Sequence, residues 1–172
     1  RQSTMRGAID WSWALLSAEE RLLFAQLSLF NGGFDIEAID AVVELDALSD
    51  AAWPDEIVES LVEKSLVRSL DLSDGTRRFV MLESMRAYAA ERLSSPDAVL
   101  PGLDVSGLAA GGRQRHRTHF GRLGATNVDS SLYIAGGAAR RALLNREQGN
   151  LETAITTGVE DDDLSSAARA WL

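Results

Sequence analysis

One change of period constrains this chain more than any other feature. Up to Lys64 the apolar residues recur at helical spacing. From Leu66 the pattern alternates, with Leu66, Arg68 and Leu70 set against Val67, Ser69 and Asp71. Ser73-Asp74-Gly75-Thr76 is a turn sequence, and Arg77 to Leu82 continues as a second short strand, so this stretch reads as a β-hairpin. The helices before it are marked by their ends. Ser17-Ala18-Glu19-Glu20 is a capping box, because Ser17 can accept from the Glu20 amide while Glu20 reaches back. A helix over about 18–30 follows, with Leu23, Leu27 and Phe30 on one face and Leu22 and Phe24 widening it. Asn31-Gly32-Gly33 stops it, since glycine tolerates the left-handed exit. Asp35 is placed to cap a helix over 36–45 that turns Ile36, Ile39, Val42 and Val43 inward. Pro54, Asp55 and Glu56 suit the start of a helix reaching about Lys64, with Ile57, Val58, Leu61 and Val62 apolar.

Two flanking helices complete this unit. Residues 5–16 carry Ile9, Trp13, Leu15 and Leu16 near helical spacing, and 83–93 carry Met85, Tyr88, Ala89 and Leu93 before Ser94-Ser95-Pro96. Helix, helix, helix, hairpin is the order of a winged helix. Residues 94–112 then gather Pro96, Pro101, Gly102, Gly107, Gly111 and Gly112, which predicts a linker. Helical patterns resume at about 113–125, 137–158 and 163–172; Gly149 weakens the middle one and Asp163 could cap the last. The expected fold is mainly α: a winged-helix domain at 1–93, a linker at 94–112, and at 113–172 the start of a helical repeat region.

Composition excludes several alternatives. The 172 residues are 45% hydrophobic and 25% charged, enough to bury a core. There is no cysteine, so a disulfide scaffold, a thiolate metal site and a cysteine nucleophile are excluded. No apolar run approaches the roughly 20 residues that span a bilayer, and a cytoplasmic location is expected. The opening Arg1-Gln2-Ser3-Thr4 and the closing Ala170-Trp171-Leu172 suggest a piece of a longer chain.

Charge decides more. Residues 1–100 hold 9 basic and 18 acidic residues, whereas 101–172 hold 8 of each, so the whole net charge of −9 lies in the first part. Such a surface repels phosphate. The helix that would enter the major groove, 54–64, offers Asp55, Glu56, Glu59 and Glu63 against Lys64 alone. The hairpin adds Arg68, Arg77 and Arg78. DNA binding by this chain is therefore not expected, and a DNA-binding winged-helix repressor is the alternative reading.

The words of the sequence add a resemblance. AIDWSWALLSAEERLLFAQLSLFNGGF (8–34), LVEKSLV (61–67) and RFVMLESMRAYAAERL (78–93) resemble the segment after the nucleotide core in bacterial STAND-class, NB-ARC-like ATPases of the LuxR-like and AfsR-like transcriptional regulators. RHRTHF (115–120) and REQGNLETAI (146–155) resemble the start of the tetratricopeptide-like repeats that follow there, although Glu152-Thr153 replaces the usual Arg-Ala. The resemblance implies a non-catalytic regulatory segment. Its winged helix would pack on an upstream nucleotide domain that holds ATP or ADP, and would relay that domain's state to repeats that sense a protein or small-molecule signal. This chain has no G-x-x-x-x-G-K-[ST], so no cofactor is expected within it. In eukaryotic relatives a Met-His-Asp motif at the end of the wing contacts ADP. Met81-Leu82-Glu83 occupies the matching place, with Leu82 unable to donate a hydrogen bond and expected to pack in the core.

The remaining chemistry-bearing residues have ordinary readings. His116 and His119 stand at i and i+3 but among Arg113, Arg115, Arg117 and Arg122, which repel a metal dication, so packing or surface histidines are expected. Glu160-Asp161-Asp162-Asp163 lacks the spacing of a calcium loop and reads as a solvated turn. Trp11, Trp13, Trp53 and Trp171 read as core or interdomain packing. No Ser/His/Asp arrangement can be assembled, and no catalytic or metal-binding residue is assigned.

Overall fold

The computed structural model of the chain describes residues 2–48, 52–95, 98–125, 137–163 and 165. In chain order these form α1 (Gln2–Ala14), α2 (Ala18–Leu27), α3 (Ile36–Val42), α4 (Pro54–Glu63), β1 (Arg68–Asp71), β2 (Arg77–Val80), α5 (Glu83–Leu93), α6 (Val105–Ala125) and α7 (Gly137–Glu160). The described chain is mainly helical, with three helices leading into a two-stranded wing, as expected.

The local signals act as their chemistry dictates. Ser17 and Glu20 exchange both capping-box hydrogen bonds, at 3.2 and 2.8 Å. The Asp35 carboxylate accepts from Ala38 N at 2.8 Å and caps α3. In the wing, β1 and β2 pair antiparallel with Arg68 opposite Val80 and Asp71 opposite Arg77. Asp74 accepts from the Thr76 amide at 3.0 Å, and Gly75 takes φ +82°, which closes the turn.

α2 is the centre of the core. Leu22, Leu23, Phe24, Ala25 and Leu27 are all buried, so the helix is covered on every side rather than along one stripe. α4 and α5 cover two of its faces. Glu20 is itself buried and ties α2 to α4, accepting from Ser60 at 2.6 Å and from Lys64. Phe34 lies outside the strands yet exchanges two backbone hydrogen bonds with Phe79, at 2.9 and 2.7 Å, and stacks on its ring. The wing is thereby fixed to the α2–α3 loop. α1 lays Ile9 and Trp13 into the same core, and just after it Leu16 is buried while Leu15 is exposed.

Three expectations are corrected. First, residues 105–112 are not linker but the first two turns of α6. Asp104 accepts from Gly107 N at 2.9 Å, and Val105, Leu108 and Ala109 are buried in the common core. Gly112 is a contact glycine: a Cβ there would stand 2.5 Å from Leu29 Cδ1. A cluster of glycines that signals a flexible segment by composition serves here to bring a helix close. Second, the core half of the tryptophan reading holds only for Trp13 among the described residues; Trp11 and Trp53 are 69% and 76% exposed, which is compatible only with its interdomain half. Third, the helix over 18–30 ends at Leu27 and that over 36–45 at Val42. The pattern over 163–172, with Trp171, falls outside the described residues except for Asp163 and Ser165.

Candidate functional site: the wing, α4 and the junction with α7

α4 presents the surface that a helix-turn-helix would turn to DNA. Ile57, Val58 and Leu61 face the core. That leaves Asp55, Glu56 and Glu63 exposed, with Glu59 half-buried beside them. Its one lysine at the C-terminal end, Lys64, is engaged by Glu20 across the core edge. The outward face is therefore carboxylate.

The three wing arginines meet different fates. Arg77 pairs with Glu59 of α4 and lies 3.5 Å from Asp71. Arg78 is buried at the junction described below. Arg68 alone is exposed on the wing without an acidic partner among the described residues. The tip of the wing is closed further by Arg146 of α7, which donates to Asp74 at 2.8 Å and, with the Thr76 hydrogen bonds, holds that carboxyl far below the usual range.

Met81, Leu82 and Glu83 sit where strand β2 passes into α5. Met81 is half-buried against the core. Leu82 is the N-cap residue of α5 and is 50% exposed, so the expectation that it packs in the core is corrected. The extended backbone of an N-cap, φ −63° and ψ 146°, turns its side chain outward at the helix mouth. Glu83 is exposed and salt-bridged to Arg86 at 2.7 Å, with its pKa lowered by that hydrogen bond. Met81 and Glu83 line a small cleft formed with the Asn31-Gly32-Gly33 loop, and Leu82 stands exposed between them.

The densest polar arrangement lies elsewhere, where α7 crosses the α2–α3 loop. Arg78 reaches out of β2 and forms a two-armed pair with Glu147, both side chains 6% exposed. The same guanidinium donates to the carbonyls of Gly32 and Gly33, each at 3.1 Å. Asn150, one turn along α7, donates to Gly33 O and to Glu147, each at 2.8 Å, and accepts from Asn31 N at 2.7 Å. His116 of α6 completes the group, with Nε2 3.5 Å from Asn150 Oδ1 and its ring against Phe30 and Phe120. Burial pushes the His116 pKa down to about 4, so the imidazole is neutral near pH 7. Gly33 and Gly149 make the approach possible. At Gly33, φ is +101° and a Cβ would stand 2.7 Å from Phe79 O; at Gly149 it would stand 2.5 Å from Asn31 O. Four of the resembling words, at 32–34, 78, 116 and 147–150, meet here, and only their packing in space joins them into one group.

The other sequence candidates fall into place around this junction. His116 is a packing histidine, as expected, and His119 rests edge-on against Phe120. The acidic run is partly engaged: Asp161 pairs with the buried Arg117, and Asp163 lies 3.6 Å from it. Among the described residues no cluster of His, Asp and Glu could hold a metal ion. No described helix is long and apolar enough to cross a membrane.

A wing seated on a three-helix core, with α4 as its outer helix, is the geometry on which the comparison with known proteins bears. Residues 16–94 match the winged helix-turn-helix domain. The winged helix thus spans α2 to α5, with α1 before it and α6 and α7 after it. The chain is 39% identical over 170 residues to the Mycobacterium tuberculosis protein named "Putative HTH-type transcriptional regulator Rv0890c", and equally to its Mycobacterium bovis counterpart Mb0914c. That alignment covers 97% of this chain and 17% of the relative. A second M. tuberculosis relative, the uncharacterized protein Rv0894, is 35% identical over 102 residues, which is 58% of this chain and 26% of that protein. No solved structure matches the chain significantly. The chain thus spans 17% of the length of the regulators it matches, and their names refer neither to a nucleotide core nor to tetratricopeptide-like repeats.

Proposed function

We propose that this chain serves as a winged-helix module of a cytoplasmic transcriptional regulator and is itself non-catalytic. The match over 16–94 and the similarity to proteins named as HTH-type regulators carry that reading. They favour regulation through DNA over the nucleotide-relay role. DNA would then meet the edge of the wing at Arg68, because α4 presents carboxylates and Arg77 is held by Glu59. The test is fluorescence anisotropy of labelled duplex DNA at low salt. Binding that falls steeply with salt, and that Arg68→Ala weakens, supports the DNA reading. No binding at micromolar protein refutes it.

A second reading rests on one observation, the acidic outer face of α4. A face that repels phosphate suits packing against protein. In this reading the winged helix docks on an upstream nucleotide domain that binds ATP or ADP and passes its state to the helices after α5. The Met81-Leu82-Glu83 segment, exposed at Leu82 and Glu83, would lie at that interface. In the full-length protein, Leu82→His should slow ADP release if the position faces the nucleotide. An unchanged exchange rate would reduce the segment to a helix start.

A further inference from the structure

Trp53 is the residue that neither the helix nor the core explains. It is the N-cap of α4, yet its side chain makes no capping hydrogen bond. Ser, Thr, Asp or Asn would serve that position better, since each can accept from a first-turn amide. Nor does it pack inward, being 76% exposed and the most exposed large apolar side chain among the described residues. Such a side chain costs solubility and returns nothing to the fold.

What stands beside Trp53 gives it a use. Between the end of α3 and the start of α4 lies a groove of about 370 Å³. Its apolar wall is Val43, Leu45 and Leu48, each only partly buried against the core, and Trp53 forms its rim. The polar rim is of one sign. Asp40 and Asp46 line the groove, both exposed, and Asp55 stands exposed just past Trp53. None of these three carboxylates has a cationic partner among the described residues. An open indole face bordered by unpaired carboxylates is the complement of a guanidinium: the ring attracts the cation and the acids bind its N–H groups.

We infer that the α3–α4 groove is a docking site for a basic amphipathic segment of a protein partner, one that places a large apolar side chain against Val43, Leu45 and Leu48 and an arginine over Trp53. The charge excludes phosphate-bearing ligands from the same place. The apolar wall separates the site from a merely acidic surface, since a polycation without apolar residues would leave it empty. The inference does not rest on the regulatory reading above, because the groove lies off the wing and Arg68.

The test uses the whole chain and a fluorescein-labelled helical peptide of leucine at i, i+3, i+4 and i+7 with arginine between. Matched peptides carry serine for leucine or glutamate for arginine. Anisotropy should show micromolar binding of the leucine–arginine peptide only. Trp53→Ala should weaken it about tenfold or more, the loss expected for a truncated tryptophan anchor. Asp40→Asn with Asp46→Asn should weaken it and flatten its salt dependence, whereas Glu152→Gln with Glu160→Gln on α7, an equal change of net charge, should not. Trp53 is solvent-exposed, so its variant should keep the wild-type melting curve. Three results overturn the inference: equal binding to wild type and Trp53→Ala, equal binding of the serine peptide, or a concentration-dependent dimer that Trp53→Ala abolishes, which would make the occupant a second copy of this chain.

Discussion

Replacing Glu147 by alanine should be among the most damaging single changes in this chain. The Arg78–Glu147 pair is buried on both sides, and Glu147 also accepts from Asn150. Removing the carboxylate leaves a guanidinium without its counter-ion in a place that water cannot reach. Breaking such a pair costs about 3–5 kcal/mol, against a total stability of roughly 5–15 kcal/mol. For a chain of this length that should lower the melting temperature by roughly 10 °C. The exposed Arg6–Glu91 pair, 54% and 49% accessible, supplies the contrast, and Glu91→Ala should leave the melting curve almost unchanged. The double variant Arg78→Met with Glu147→Leu removes both charges and fills the space, but it leaves the Gly32 carbonyl without its donor, so it should recover only part of the loss. Urea denaturation of the four proteins, followed by tryptophan fluorescence and by far-ultraviolet circular dichroism, measures this. Trp13 reports on the α1–α2–α5 side of the core and the helical signal on the whole. If the junction joins α7 to the winged helix, the two probes should coincide in wild type and separate in Glu147→Ala. A loss below about 1 kcal/mol in Glu147→Ala would refute the assignment of the pair as the buried tie.

The junction makes three further predictions. Gly149→Ala should destabilise the chain although alanine favours a helix by about 1 kcal/mol, because its Cβ would stand 2.5 Å from the Asn31 carbonyl; a rise in melting temperature would count against the close approach of α7. Gly33→Ala should be worse still, combining φ +101° with a 2.7 Å approach to Phe79 O, and is read by the same melt. His116 should make stability depend on pH. Unfolded it titrates near 6.5, whereas burial holds the folded group to about 4, so on acidification the unfolded chain takes up the proton first. Stability should therefore fall as pH drops from about 6.5 towards 4, by up to about 3 kcal/mol. In His116→Gln, which keeps a donor towards Asn150, that part of the slope should vanish; an unchanged slope would assign the pH dependence to other groups.

The helices and hairpin were legible because their signals are local. Ser17 and Glu20, Asp35, Pro54 and Gly75 each act within a turn of their own position, and each does what its chemistry predicts. The errors arose where the deciding contact is distant. Gly107, Gly111 and Gly112 look like a flexible stretch until Leu29 is seen against Gly112. Leu82 looks like a core residue by type, but the turn from β2 into α5 points it outward. Trp53 follows the same rule: hydrophobicity alone assigns it to packing, and only the acidic, half-open groove beside it shows why it is left in water.

The wing illustrates how one residue type can mean opposite things at neighbouring positions. Arg77 and Arg78 are adjacent in a strand, so their side chains leave on opposite faces. One face looks toward α4 and solvent, where Arg77 meets Glu59. The other looks toward the α2–α3 loop, where Phe34 pairs with Phe79 and the backbone carbonyls of Gly32 and Gly33 stand open. Those carbonyls need donors, and Arg78 and Asn150 supply them. A guanidinium so placed needs a counter-charge, and Glu147 is the residue one turn before Asn150 on the same face of α7. The spacing E-x-x-N in α7 is therefore set by the shape of a glycine loop more than a hundred residues earlier in the chain. It follows that the wing cannot tilt away from α2 and α3 without breaking the Arg78–Glu147 tie to α7.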